Sequence, residues 1–450
     1  MEKNPSFIKK IMSVLVITAC VLVGTTRLYA DDEVWAWGLN MYGQLGDGTD
    51  TTRLEPVQTH MLTDVSALSG GGFHSLALHS DSTVWAWGCN NGGQLGNGDN
   101  ADRWEPVQTH ILIDISAISG GGWHSLALKS DSTVWAWGEN DCGQLGVGDN
   151  IERWEPVQTH VLTDVIAISA GLKHSLALES DSTVWAWGQN ICGQLGVGDT
   201  IERWEPVQTH MLTDIIAIAA GVGHSLALKS DGTVWAWGSN AEGELGINDT
   251  IWHNEPVQTH ILNDAIAIAG GFAHSIALKS DSTVWAWGFN GYGQLGNGDT
   301  IDCWEPIQTH ILSDVIAIDA GWYYSLALKS DGTVWAWGAG MFLGVGDSIN
   351  HLEPVQTHNL TDISAISGRG YHSLALKEGV GVEENSFDKP LKNPDNSCAT
   401  IFSGSLILPE GKQCKVFDIT GRTVIPARIQ PGIYFIEIDG VITQKVVKVR

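Results

Sequence analysis

The string Val-Trp-Ala-Trp-Gly begins at Val34, Val84, Val134, Val184, Val234, Val284 and Val334, an unbroken spacing of fifty residues in a chain of 450. A sequence with such a period builds one small unit many times over, and neighbouring units bury each other's apolar faces. Between copies run a glycine-rich loop, clearest as GQLGNGD, then EPVQTH, then a run such as VIAISA, then HSLALK. The seventh unit is shorter by two residues, lost around Gly340 to Leu343.

Each unit offers four short runs with strand character, namely VQTHIL, VIAISA, HSLALK and TVWAWG, bounded by Gly, Pro, Asp or Ser. No helical period competes with them. Side chains alternate along a strand, so these runs carry small residues on one face and bulky ones on the other, which suits sheets stacked around an axis. Seven four-stranded sheets predict an all-β, seven-bladed β-propeller over residues 31–377, in which radial repetition protects the edges. The first VWAWG has no HSLAL before it, and the last HSLAL, at His372 to Leu376, has no VWAWG after it. The seventh blade must therefore join the two ends, pairing Glu33 to Trp37 with Tyr371 to Lys377.

The ends differ from the repeats. Lys9 and Lys10, the apolar run Ile11 to Gly24 and then Leu28-Tyr29-Ala30 read as an export signal over residues 1–30, cleaved near Ala30. The run is too short to span a bilayer. A lipoprotein reading at Cys20 would leave the greasy stretch Val21 to Tyr29 on the mature protein. Residues 378–394 read as a polar linker. Residues 395–450 hold 7 basic and 5 acidic residues, against 10 and 41 in residues 31–376. Their runs KVFDITGRTV, GIYFIEIDG and VITQKVVKVR predict a small C-terminal β-sandwich.

The succession EP, GxxHSLAL, DGTVWAWG, then N and GQLG resembles the repeat of the regulator of chromosome condensation family, a seven-bladed propeller, from Asp31 to about Lys377. That fold serves an exchange factor, enzyme inhibitors and many other binders, so the resemblance implies architecture and no single activity. It also implies that the HS histidine is structural and hydrogen-bonds within its own blade. The tail, from about Leu391 to Arg450 and above all its terminal KVVKVR, is similar to the C-terminal sorting domain of type IX secretion cargo. This resemblance implies that residues 395–450 engage the secretion machinery, and that the protein ends up secreted or at the outer-membrane surface.

With 24 Lys plus Arg against 51 Asp plus Glu, a formal net charge of −27, the chain repels phosphate backbones and anionic headgroups. Nucleic acid and membrane insertion after signal cleavage are therefore not expected. The histidines of QTH and HS recur once per unit, and such repetition holds equivalent side chains a sheet spacing apart instead of converging them on a metal or substrate. The Asp-bearing loops lack the ligand ladder of a calcium loop, and turn chemistry accounts for them. Cys142 and Cys192 occupy one loop position in neighbouring units and read as ordinary thiols, whereas Cys398 and Cys414 are the better candidates for a bridge. No catalytic motif is present. No catalytic residue, metal or cofactor is expected, and a monomer is.

The expected function is non-enzymatic binding of an extracellular protein or glycan. A carboxylate-dependent lyase or hydrolase and a purely structural surface protein are the alternatives. Residues just before HS and just after WG lie at one end of each blade and escape the repeat. Aromatic side chains there make a candidate ligand face: Phe73, Trp123, Phe272, Trp322, Tyr323 and Tyr371, with Tyr42, Phe289, Tyr292 and Phe342.

Overall fold

The computed structural model describes residues 32–377, except 111, 161 and 311, together with five strands between 401 and 448. The expected signal over 1–30, the linker over 378–394 and Cys398 lie outside the described residues.

Seven four-stranded antiparallel sheets form a β-propeller. Blade 1 runs outward through Val65–Gly70, His74–His79, Val84–Gly88 and Arg103–Gln108. Blades 2 to 6 repeat it, with inner strands at Ile115–Gly120, Val165–Ala170, Ile215–Ala220, Ala265–Gly270 and Val315–Ala320. These inner strands contact one another around the axis. Blade 7 takes its inner pair from one end of the propeller, Ile363–Arg369 and His372–Lys377, and its outer pair from the other, Glu33–Gly38 and Arg53–Gln58. Glu33 pairs with Lys377 and Gly38 with His372, an unbroken ladder that closes the circle as the repeat order requires.

The outer strand differs from its sequence expectation. It begins earlier, at Arg53, and ends at Gln58, so the THIL half of VQTHIL is loop. Proline explains the placement: Pro56 lies between Arg53 and Val57, where pairing to the third strand is interrupted, and only an edge strand tolerates the missing N–H.

Cores sit between blades. The second tryptophan of each VWAWG is fully buried, and Trp87, for example, packs with Val34, Ala36, Leu374 and Leu376 of blade 7. Its indole N–H donates to the Gln44 carbonyl of that blade's glycine-rich loop at 2.9 Å. The same carbonyl accepts the Ser75 hydroxyl at 2.8 Å. The shortened seventh loop folds into a single 3₁₀ turn, Gly340–Phe342, and there the Phe342 carbonyl takes the Trp37 indole N–H at 2.9 Å.

Both histidine series connect blades, correcting the expectation that the HS histidine bonds within its own. His74 Nε2 lies 2.9 Å from Ser125 Oγ of the next blade, and His124, His174, His224, His274 and His372 repeat the contact. Because each of these serines already donates to a loop carbonyl, the imidazole must donate through Nε2–H. Burial pushes His74 down to about 3, as it does His174, His224, His274 and His372. Tyr324 stands in for the sixth histidine, accepting from the Ser373 hydroxyl at 2.8 Å. The QTH histidines form an exposed series, His60 meeting Glu105 of the next blade at 3.1 Å and so on round to His358 with Glu55.

Near the C-terminus the described strands make one five-stranded sheet, in the order Ile401–Phe402, Val441–Lys448, Gly432–Ile438, Cys414–Asp418, Thr423–Val424. The first two pair in parallel. The expected three runs appear as strands, but the described residues supply a single sheet where a sandwich was expected.

Candidate binding face

The ten aromatic residues expected at one end of the propeller form one connected network. Phe73 is its hub: its ring centroid lies 5.5 Å from Tyr42, 5.0 Å from Trp123, 5.7 Å from Trp322 and 5.6 Å from Tyr371. Trp322 continues to Tyr371 at 4.6 Å and to Phe272 at 6.3 Å. Tyr323 touches Phe272 and Tyr292, each at 5.1 Å, and Tyr292 meets Phe289 at 6.1 Å. The loops that carry them follow the inner and the third strands, so backbone pairing fixes where each ring starts.

The aromatic residues encircle only part of the mouth. They form a crescent over blades 5, 6, 7, 1 and 2, because blades 3 and 4 carry Leu172, Lys173, Val222 and Gly223 at the corresponding positions. Phe342 is also corrected: it is buried in a core with Leu343 and Tyr324, and it packs against Tyr371 at 5.4 Å instead of presenting a face to solvent. The others are partly exposed, Phe272 and Tyr292 most of all at 39% each. Burial raises the phenols of Tyr323 and Tyr371, which therefore stay neutral hydrogen-bonding groups.

Two charged residues on the innermost strands were legible only as breaks in the repeat. Arg369 occupies the position of Gly71, Gly121, Gly171, Gly221, Gly271 and Gly321 in the other units. At Gly71 a Cβ would lie 2.2 Å from the His74 ring, so glycine is required there. Blade 7 escapes this by a tighter turn through Gly370, at φ 53°, and its Arg369 donates to the Ala170 carbonyl of blade 3, on the far side of the axis. Burial lowers the guanidinium to about 10, which leaves it charged at neutral pH. Asp319 accepts the N–H groups of Ala320 and Gly368, each at 2.9 Å. Burial raises its carboxyl to about 6, against the pull of those donors and of Arg369.

Elsewhere the candidate chemistry is held by the chain's own groups. The loop carboxylates Asp149 and Asp199 each pair with an arginine at 2.6 Å. Cys142 and Cys192 are free thiols, and burial raises the Cys142 thiol to about 12. Among the described residues no three His, Cys, Asp or Glu side chains are grouped to hold a metal ion, and no helix is long and apolar enough to cross a membrane.

The RCC1-like domain family matches residues 109–382, more than half of the chain. The chain belongs to this RCC1-like family. Regulator of chromosome condensation (RCC1) repeats match residues 31–78 and 81–128, and a second form of the repeat matches 64–94. Among solved structures, human WBSCR16 is similar with a TM-score of 0.70 at 22% identity, over 77% of this chain and 99% of that one. Yeast RCC1 (Prp20) bound by Kap60 gives 0.70 at 22%, over 82% and 96%. Prp20p from Saccharomyces cerevisiae gives 0.71 at 21%, over 85% and 97%. At such identities the likeness is one of fold. No curated protein matches this RCC1-like chain in sequence.

Proposed function

We propose that this RCC1-like propeller is a non-enzymatic binding module that takes a protein ligand on its aromatic crescent. The carrying observation is that the aromatic residues outside the repeat converge on one face in a single network. Residues kept for folding recur in every blade, as the buried VWAWG tryptophan does, and these do not. Clustered, partly exposed Trp and Tyr side chains are what protein interfaces use as anchors. A protein ligand fits the family: yeast Prp20 is bound by Kap60 and has binding properties toward Gsp1p and histones.

The ligand is extracellular in this reading. The export-signal pattern over residues 1–30 and the sorting-domain resemblance over 395–450 support a chain routed through the type IX machinery to the surface or the medium. The net acidic character argues against nucleic acid as the ligand. Used as bait among secreted proteins, the chain should capture a partner that a Trp123→Ala, Trp322→Ala double variant does not. Identical capture by both would refute the crescent as the binding face. A chain lacking residues 395–450 should remain inside the cell, and its export at parental levels would refute the sorting role.

A further inference from the structure

The crescent opens, where blades 4, 5 and 6 meet, into a concavity of about 190 Å³ lined by Glu242, Phe272, Ala273, Phe289, Tyr292 and Tyr323. Sites for drug-sized ligands run to roughly 300–1,000 Å³, so this one suits the end of a side chain. Three departures from the repeat create it. Ala273 stands where five other units carry the large residues Phe73, Trp123, Lys173, Tyr323 and Tyr371 and one carries Gly223, which leaves the space open. Gly291 lets the Phe289 ring fold over it, since a Cβ there would lie 2.5 Å from the ring's Cζ. Glu242 replaces Tyr42, Gly92, Cys142, Cys192 and Tyr292, and is the one carboxylate at its position among these loops.

The pocket is an aromatic enclosure with unbalanced negative charge. Burial raises the Glu242 carboxyl, and the like charge of Asp302 raises it further. A hydrogen bond between the Glu242 and Asp302 carboxyls raises it too. Glu244 beside it is buried, held by the Ser239 hydroxyl at 2.6 Å and the Glu242 N–H at 2.9 Å.

The fold also shows what such a gap accepts. Two blades earlier, Lys173 occupies the position of Ala273, and its ammonium reaches Asp141 at 2.6 Å and Glu139 at 3.3 Å on the loop of the preceding blade. Burial opposes the charge on Lys173, but these carboxylates outweigh it and hold the ammonium above its usual range. At blade 5 the lysine is missing, while the preceding loop carries a carboxylate one position further on, Glu242, and the aromatic rings are added.

We propose that this pocket binds an alkylammonium group, the side chain of a lysine on a protein ligand, with its charge set against Glu242 and its methylenes against Phe272, Phe289, Tyr292 and Tyr323. Aromatic faces attract such cations, and a nearby carboxylate adds to the attraction. The inference rests on the crescent being a protein-binding face and names what one part of it reads.

The test uses the full chain and two small probes, N-acetyl-lysine N-methylamide and its norleucine counterpart, followed by saturation-transfer NMR. The lysine probe should bind about tenfold more tightly than the norleucine probe. Glu242→Gln should erase that preference with an unchanged melting temperature, and Tyr292→Ala should weaken the lysine probe, while Trp104→Ala leaves it alone. Ala273→Lys, which supplies the ammonium from within, should abolish probe binding and raise the melting temperature. Equal affinity for the two probes, undiminished preference in Glu242→Gln, or no saturable binding of the lysine probe would each overturn the proposal. The two readings fail separately: loss of partner capture in the Trp variants without lysine preference removes only the pocket, and lysine preference with unaltered capture removes only the wider crescent.

Discussion

His372 Nε2 lies 2.7 Å from Ser75 Oγ, although 297 positions separate them in the chain. The contact is the last link of a buried belt in which each blade's histidine, or Tyr324, meets a serine of the next. Closure of the propeller is thus sealed twice, by the ladder between Glu33–Gly38 and His372–Lys377 and by this side-chain belt.

The belt makes stability depend on pH. Burial holds five of its histidines at about 3 and His124 well below its ordinary 6.5. Between pH 6.5 and 3 the unfolded chain therefore binds protons that the folded chain refuses, and stability present above pH 6.5 is lost as pH falls. Each histidine contributes roughly 1.4 kcal/mol per pH unit in that window. Asp319, raised to about 6, acts oppositely, since its folded form keeps the proton and its contribution fades as pH rises through 6. Six groups outweigh one, so calorimetry should show a Tm that is flat above pH 7 and falls steeply from 6.5 to 4. His274→Tyr, which copies Tyr324, should reduce that slope by one proton. A Tm independent of pH would mean that the histidines are not sealed from water.

Closure makes Trp37 as costly to remove as any tryptophan of a continuous blade. Trp37 and Trp187 are both fully buried and both donate to a neighbouring loop carbonyl at 2.9 Å. Alanine at either should cost about 3–5 kcal/mol in denaturant unfolding. A much smaller loss at Trp37 would mean that the ends of the propeller are not joined.

Arg369→Gly would restore the glycine that the other six units share. It removes a charged donor to the Ala170 carbonyl, a loss of roughly 1.5–3 kcal/mol for a hydrogen bond to a charged group. Because Arg369 lowers the Asp319 carboxyl, its removal should move that group above its value of about 6, as followed by carboxyl NMR. An unmoved Asp319 would show that the two charges do not interact.

The architecture was legible because its cause is local and repeated: seven VWAWG strings fix strand number, order and the composite seventh blade. The ten aromatic positions were legible because they break the repeat at one end of each hairpin. Their arrangement was not, since a crescent instead of a ring depends on which rings meet across the mouth, as Phe73 and Trp322 do. Phe342 deceived for a related reason: in the shortened loop its side chain turns into the core while its carbonyl replaces that of a glutamine. Arg369 and Glu242 are polar residues that the repeat does not share, but their surroundings come from other blades and no window of sequence contains them.

The most direct test compares two kinds of exposed tryptophan against one captured ligand. Trp104 is 48% exposed but recurs as Trp154, Trp204 and Trp304, so it belongs to the repeat, whereas Trp123 and Trp322 belong to the crescent. Titration calorimetry should show a loss of about 2 kcal/mol or more for Trp123→Ala and for Trp322→Ala, with Trp104→Ala within about 0.5 kcal/mol of the parent and all three melting temperatures similar. Equal affinities for all four proteins, or a loss confined to Trp104→Ala, would contradict binding through the crescent.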